Sequence, residues 1–103
     1  MGANYGYANA LNIGVTGITV ISSSSSQSVA IPNNAVGSRT RLVRLLPTGN
    51  LYVKFTKGAG TATTNDILLS PNFDVYVNCQ PYDTISYIQE SAGAKLNITP
   101  IET

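Results

Sequence analysis

Apolar and polar positions alternate with a period of two along much of the chain, and the alternating runs are short. Leu51, Val53 and Phe55 fall on one side against Tyr52 and Lys54. Phe73, Val75 and Val77 oppose Asp74 and Tyr76, and Leu96 and Ile98 oppose Asn97 and Thr99. Successive side chains of a strand point to opposite faces, so each run reads as a strand with one covered face. β-Branched residues fill these runs, and Gly, Pro, Asn and Asp interrupt them about every ten residues, as turns require. The pattern predicts strands near 12–21, 27–31, 40–46, 51–56, 66–69, 73–79, 84–89 and 94–99. No stretch keeps a helical period between caps. About eight short strands in a single small domain predict an all-β fold, an antiparallel β-sandwich or a jelly-roll-like barrel.

Residues 1–10 have no strand periodicity and read as an extended N-terminal arm, with residues 11–103 as a single β-sandwich domain. Tyr5 and Tyr7 are the arm's apolar anchors, and their burial calls for a partner surface. The stretch "KGAGTATTND" (57–66) reads as a loop crossing from one sheet to the other. "DILLSPN" (66–72) then reads as a short buried segment stopped by Pro71.

Composition narrows the possible partners. Only 11% of residues are charged, against about 25% in an average soluble domain. Ser, Thr and Asn take their place, including an unbroken run from Ser22 to Ser26. The net charge of +1 provides no field to gather nucleic acid or an acidic membrane surface. The charges are nevertheless segregated. Arg39, Arg41, Arg44, Lys54 and Lys57 precede any acid, whereas Asp66, Asp74, Asp83, Glu90 and Glu102 share the remaining chain with Lys95. Two readings follow: complementary charges on neighbouring strands within the domain, or a basic patch that meets an acidic patch on an adjacent copy. In the second, Arg39, Arg41, Lys54 and Lys57 occupy two consecutive strand regions expected to be neighbours.

The side chains of most active sites are missing. Without histidine there is no Ser-His-Asp triad, no Cys-His pair and no ordinary zinc set. Cys79, the single cysteine, has no internal disulfide partner and reads as a buried structural thiol. Asp66, Asp74 and Asp83 lack calcium-loop spacing. Gly58-Ala59-Gly60 does not open a helix and is no phosphate loop. Asn97-Ile98-Thr99 is formally a glycosylation sequon but reads as a strand triplet. Arg39, Arg41 and Arg44 with Tyr52 and Lys54 have the residue types of a single-strand-binding sheet, but Arg44 breaks their alternation. The chain therefore reads as a non-enzyme with no cofactor, no metal, no nucleic-acid partner and no membrane partner. Its N-terminus has neither a basic leader nor a continuous apolar run, which argues against a signal peptide and points to a protein made and used inside a cell or in something assembled there.

From Arg41 to Thr99 the chain resembles the small all-β accessory proteins of tailed-bacteriophage heads. The likeness runs through "LYVKF" (51–55), a Gly-rich turn, "TATTNDILL" (61–69), "YDTISYI" (82–88) and "LNIT" (96–99), in that order. Such a resemblance implies a capsid cement or decoration protein, a homotrimer on the outside of an assembled head shell whose partner is the major capsid protein. Proteins of that kind clamp neighbours by area and shape, with arms that order on docking. On this chain the partner-binding residues would be Tyr5, Tyr7, Arg39, Arg41, Lys54 and Lys57. The alternatives are a carbohydrate- or host-surface-binding module using Tyr76, Tyr82 and Tyr87, or a structural protein of the head–tail region.

Overall fold

The computed structural model describes residues 16–33 and 42–101, and those residues form a β-sandwich. Its strands are β1 (Ile18–Ile21), β2 (Gln27–Ala30), β3 (Leu42–Pro47), β4 (Leu51–Thr56), β5 (Ile67–Leu69), β6 (Val75–Asn78), β7 (Thr84–Gln89) and β8 (Lys95–Ile101). All eight predicted strands have a counterpart within a few residues of their expected places; residues 12–15 of the first lie outside the described residues.

One sheet has the order β1-β8-β3-β6 and the other β2-β7-β4-β5, with every pairing antiparallel. The pairs β1·β8, β2·β7, β3·β6 and β4·β5 are those of one long hairpin folded back on itself. The pairs β3·β8 and β4·β7 close the rolled ribbon into two sheets. This is the connectivity of a jelly roll, the closer of the two architectures that the alternation allowed.

The core lies between the sheets. Val43 and Leu45 on β3 and Leu96 and Ile98 on β8 face Leu51 and Val53 on β4 and Ile85 and Tyr87 on β7. The alternate positions point outwards. On the outer face of the first sheet, Asn97 Oδ1 accepts hydrogen bonds from Arg44 Nη2 at 3.1 Å and Thr99 Oγ1 at 2.7 Å. Asn97 Nδ2 donates to Thr19 Oγ1 at 3.0 Å, so the sequon asparagine ties β1, β8 and β3 together.

The threonine-rich loop has a different path from the one predicted. β4 and β5 are neighbours in the same sheet, so residues 57–66 do not cross the sandwich. They form a strap over the outer face of β7. Gly58 N–H donates to Asp83 Oδ1 at 2.9 Å, Ser28 Oγ donates to the Gly60 carbonyl at 3.0 Å, and Ala62 N–H donates to Ser26 Oγ at 2.7 Å. Ser86, opposite Ser28 on the outward side, is thereby fully buried, and its hydroxyl meets Ser28 Oγ at 2.9 Å. A Cβ on Gly60 would come within 2.5 Å of Thr56 Cγ2, which accounts for glycine at that point of the strap. The serine run has a matching role. Ser22 Oγ donates to the Ala94 carbonyl at 2.7 Å, and Ser26 receives the strap.

Candidate contact flank

The two sheets end together on one side of the molecule. β5 is an edge of one sheet and β6 an edge of the other, and residues 70–74 carry the chain between them. This short segment, rather than the threonine-rich loop, makes the crossing. The segment 66–72 is also less buried than its composition predicts. Leu69 is in the core, but Ile67 is 59% and Leu68 50% exposed. Phe73, expected to face inwards with Val75 and Val77, precedes β6 and is 69% exposed.

Local chemistry holds Phe73 in that position. Asn72 has a φ of 61°, in the left-handed region that asparagine tolerates better than most residues. Its N–H donates to the Pro47 carbonyl at 2.8 Å, pinning the turn to the end of β3. Asn72→Ala is expected to cost about 1 kcal/mol and Asn72→Gly close to nothing; equal denaturation midpoints for the two variants would rule out the strained turn.

Leu68, Leu69, Ser70, Phe73 and Val75 frame a shallow concavity of about 190 Å³. Tyr76 points outwards from β6, on the outer face of the first sheet, whereas Leu68 points out of the second. At about 200 Å² for a large side chain, the exposed parts of Ile67, Leu68 and Phe73 amount to roughly 350 Å². A monomer's largest apolar patch is typically ~300–600 Å² and is often functional. Among the described residues β5 and β6 are edge strands, each paired with another strand on one side.

The residues singled out from sequence are distributed differently. Tyr5, Tyr7, Arg39 and Arg41 lie outside the described residues. Lys54 is exposed on the outer face of β4 opposite Ser86, and Lys57 is exposed at the start of the strap. β3 and β4 belong to opposite sheets, so the two basic regions are not neighbouring strands as expected. Arg44 does point outwards but is engaged with Asn97. Cys79 is 1% exposed.

Among the tyrosines considered for stacking on sugars, Tyr76 and Tyr82 are 47% and 41% exposed, but Tyr87 is a core residue at 6%. Burial raises the Tyr87 phenol above its ordinary value. Tyr52 is also raised, first by its hydrogen bond to Glu90 Oε1 at 2.9 Å and then by desolvation and the glutamate's charge. Among the described residues no three His, Cys, Asp or Glu side chains gather where a metal ion would sit. No described helix is long and apolar enough to cross a membrane.

The flank was missed because an Ile-Leu-Leu triplet looks the same whether it is covered or displayed. The signal that was available is length. A three-residue strand is typical of a sheet edge. The chain matches no family model, no curated protein and no solved structure.

Proposed function

We propose that this chain is a structural virion protein, a cement or decoration subunit that binds the outside of an assembled phage head shell and acts by contact rather than by chemistry. The observation that carries this reading is the β5–β6 flank. It presents an apolar surface beside a preorganised turn, on a chain poor in charge and rich in Ser, Thr and Asn. A surface poor in charge suits close packing against other proteins, because few ionic groups must be desolvated. The jelly roll is shared by viral capsid domains and by lectins, an analogy of fold that agrees with this role without establishing it.

The test is cosedimentation with purified, DNA-free head shells from the phage that encodes the chain, together with quantification in its purified virions. Saturable binding at a fixed ratio to the major capsid protein is the expected result, with shells surviving higher denaturant once decorated. A chain that stays in the supernatant and is missing from virions would overturn the reading. Binding to a glycan array in place of shells would favour the carbohydrate-binding alternative.

A further inference from the structure

We propose that the β5–β6 flank receives the N-terminal segment of a second copy of this chain, with Tyr5 and Tyr7 facing the flank and one of their rings seated in its concavity. The proposal deepens the structural reading above, which supplies the setting, but the contact it describes is measurable without a shell.

Four observations select this occupant. The first is size. The concavity measures about 190 Å³, and a cavity of about 150 Å³ lined by aliphatic and aromatic side chains takes up benzene. One aromatic ring therefore fits. The second is chemistry. The lining is apolar except for Ser70, which suits a ring with an apolar body and a hydroxyl at its tip. Residues 1–38 contain no Asp, Glu, Lys, Arg or His, and their aromatic residues are Tyr5 and Tyr7. In an extended chain residues 5 and 7 point to the same face.

The third observation is area. The roughly 350 Å² displayed by Ile67, Leu68 and Phe73 is less than half of the ~800 Å² that each partner of a stable globular pair buries. An extended segment lying along the flank matches that area better than a second flank placed face to face. Such a segment also has the backbone groups to pair with the edge strands β5 and β6.

The fourth is where the segment starts. It enters β1, at the opposite edge of the first sheet from β6, some 14 Å away across three inter-strand spacings. Fifteen extended residues reach up to about 50 Å, enough to leave that edge and lie along the flank of a neighbouring copy. Donor segment and receiving flank lie at opposite edges, so the contact joins two different surfaces, and copies linked this way end in a closed dimer or ring when the rotation between them closes.

Sedimentation velocity on the full-length protein tests this. One variant disables the seat (Leu68→Asp with Phe73→Asp) and another the segment (Tyr5→Asp with Tyr7→Asp). The wild type is expected to form a closed oligomer, and each variant alone to associate at least ~30-fold more weakly. Mixed in equal amounts, the two variants retain one good segment and one good seat between them and are expected to form a 1:1 dimer and nothing larger. Melting curves establish that both variants are folded, and if the aspartates lower the midpoint, Leu68→Ser with Phe73→Ser replaces them. A wild type that is monomeric without shells overturns the proposal. So does a Tyr5/Tyr7 variant that keeps the wild-type mass, or a mixture that stays monomeric. None of these outcomes bears on whether the chain binds shells, which cosedimentation decides separately.

Discussion

Leu45→Ala is expected to lower the unfolding free energy by about 3 kcal/mol, whereas Phe73→Ser is expected to change it by less than about 0.5 kcal/mol. Leu45 is fully buried at the centre of β3, paired with Val75 on β6 and Ile98 on β8, in the interior of the sandwich. Truncation removes its transfer energy and leaves a cavity that three surrounding strands cannot close without losing register. A domain of this size has about 5–15 kcal/mol in total, so a 3 kcal/mol loss lowers the melting midpoint by roughly 12–24 °C. Phe73 is the larger side chain, but at 69% exposed it has most of its surface in solvent. Paired urea titrations check both values. A loss of more than about 1.5 kcal/mol for Phe73→Ser would place that ring in the core and remove the apolar flank.

That contrast marks where sequence reading succeeded and where it stopped. Alternation reports which side of a strand a residue is on, and it placed Leu51, Val53, Leu96 and Ile98 inwards and Tyr52, Lys54 and Asn97 outwards, as found. It does not report whether anything covers that side. Ile67 pairs with Val53, a core residue, yet is 59% exposed. Ser86 points outwards, yet is fully buried by the strap. Covering is a tertiary property decided by residues far away in sequence, here Ser26, Ser28 and Asp83 acting on Gly58, Gly60 and Ala62.

The separation of β3 from β4 was hidden for a related reason. Pro47-Thr48-Gly49-Asn50 looks like a hairpin turn, and a hairpin would have set the two strands side by side. In the fold it is a corner between sheets, held by the connection from β7 to β8. Thr48 N–H donates to the Lys95 carbonyl at 2.9 Å, Lys95 N–H donates to Thr48 Oγ1 at 2.9 Å, and the Glu90 and Ser91 N–H groups both donate to the Asn50 carbonyl at 3.0 Å. Two corners running side by side satisfy each other's backbone groups, and neither segment announces the other. The expected adjacency of the two basic strand regions therefore fails, while the serine and threonine excess acquires a structural role. Those hydroxyls tie loops and strands to one another.

Gly17→Ala is expected to destabilise the protein by about 1–3 kcal/mol and to do so at one edge of the sandwich. A Cβ built on Gly17 would stand 2.2 Å from the Ile98 carbonyl oxygen and 2.9 Å from the Thr99 Cα, both backbone atoms of β8. No rotamer change relieves a clash with backbone, so one of the two strands has to move. β8 is held on its other side by β3 along all but its first residue, from Leu96 opposite Pro47 to Ile101 opposite Leu42. Among the described strands β1 pairs with β8 alone, through four residues, and is the strand that yields. The loss is thus bounded by what β1 contributes. Hydrogen exchange is expected to accelerate for the β1 amides, Ile18 to Ile21, with β3·β8 protection retained. Because Gly17 is also where the N-terminal segment joins the sandwich, the same substitution redirects that segment at its root. Self-association is expected to weaken even at temperatures where the mutant is fully folded. Unchanged β1 protection in Gly17→Ala would mean that β1 does not approach β8 as closely as a glycine permits, and the exit direction on which the second-copy contact depends would have to be abandoned.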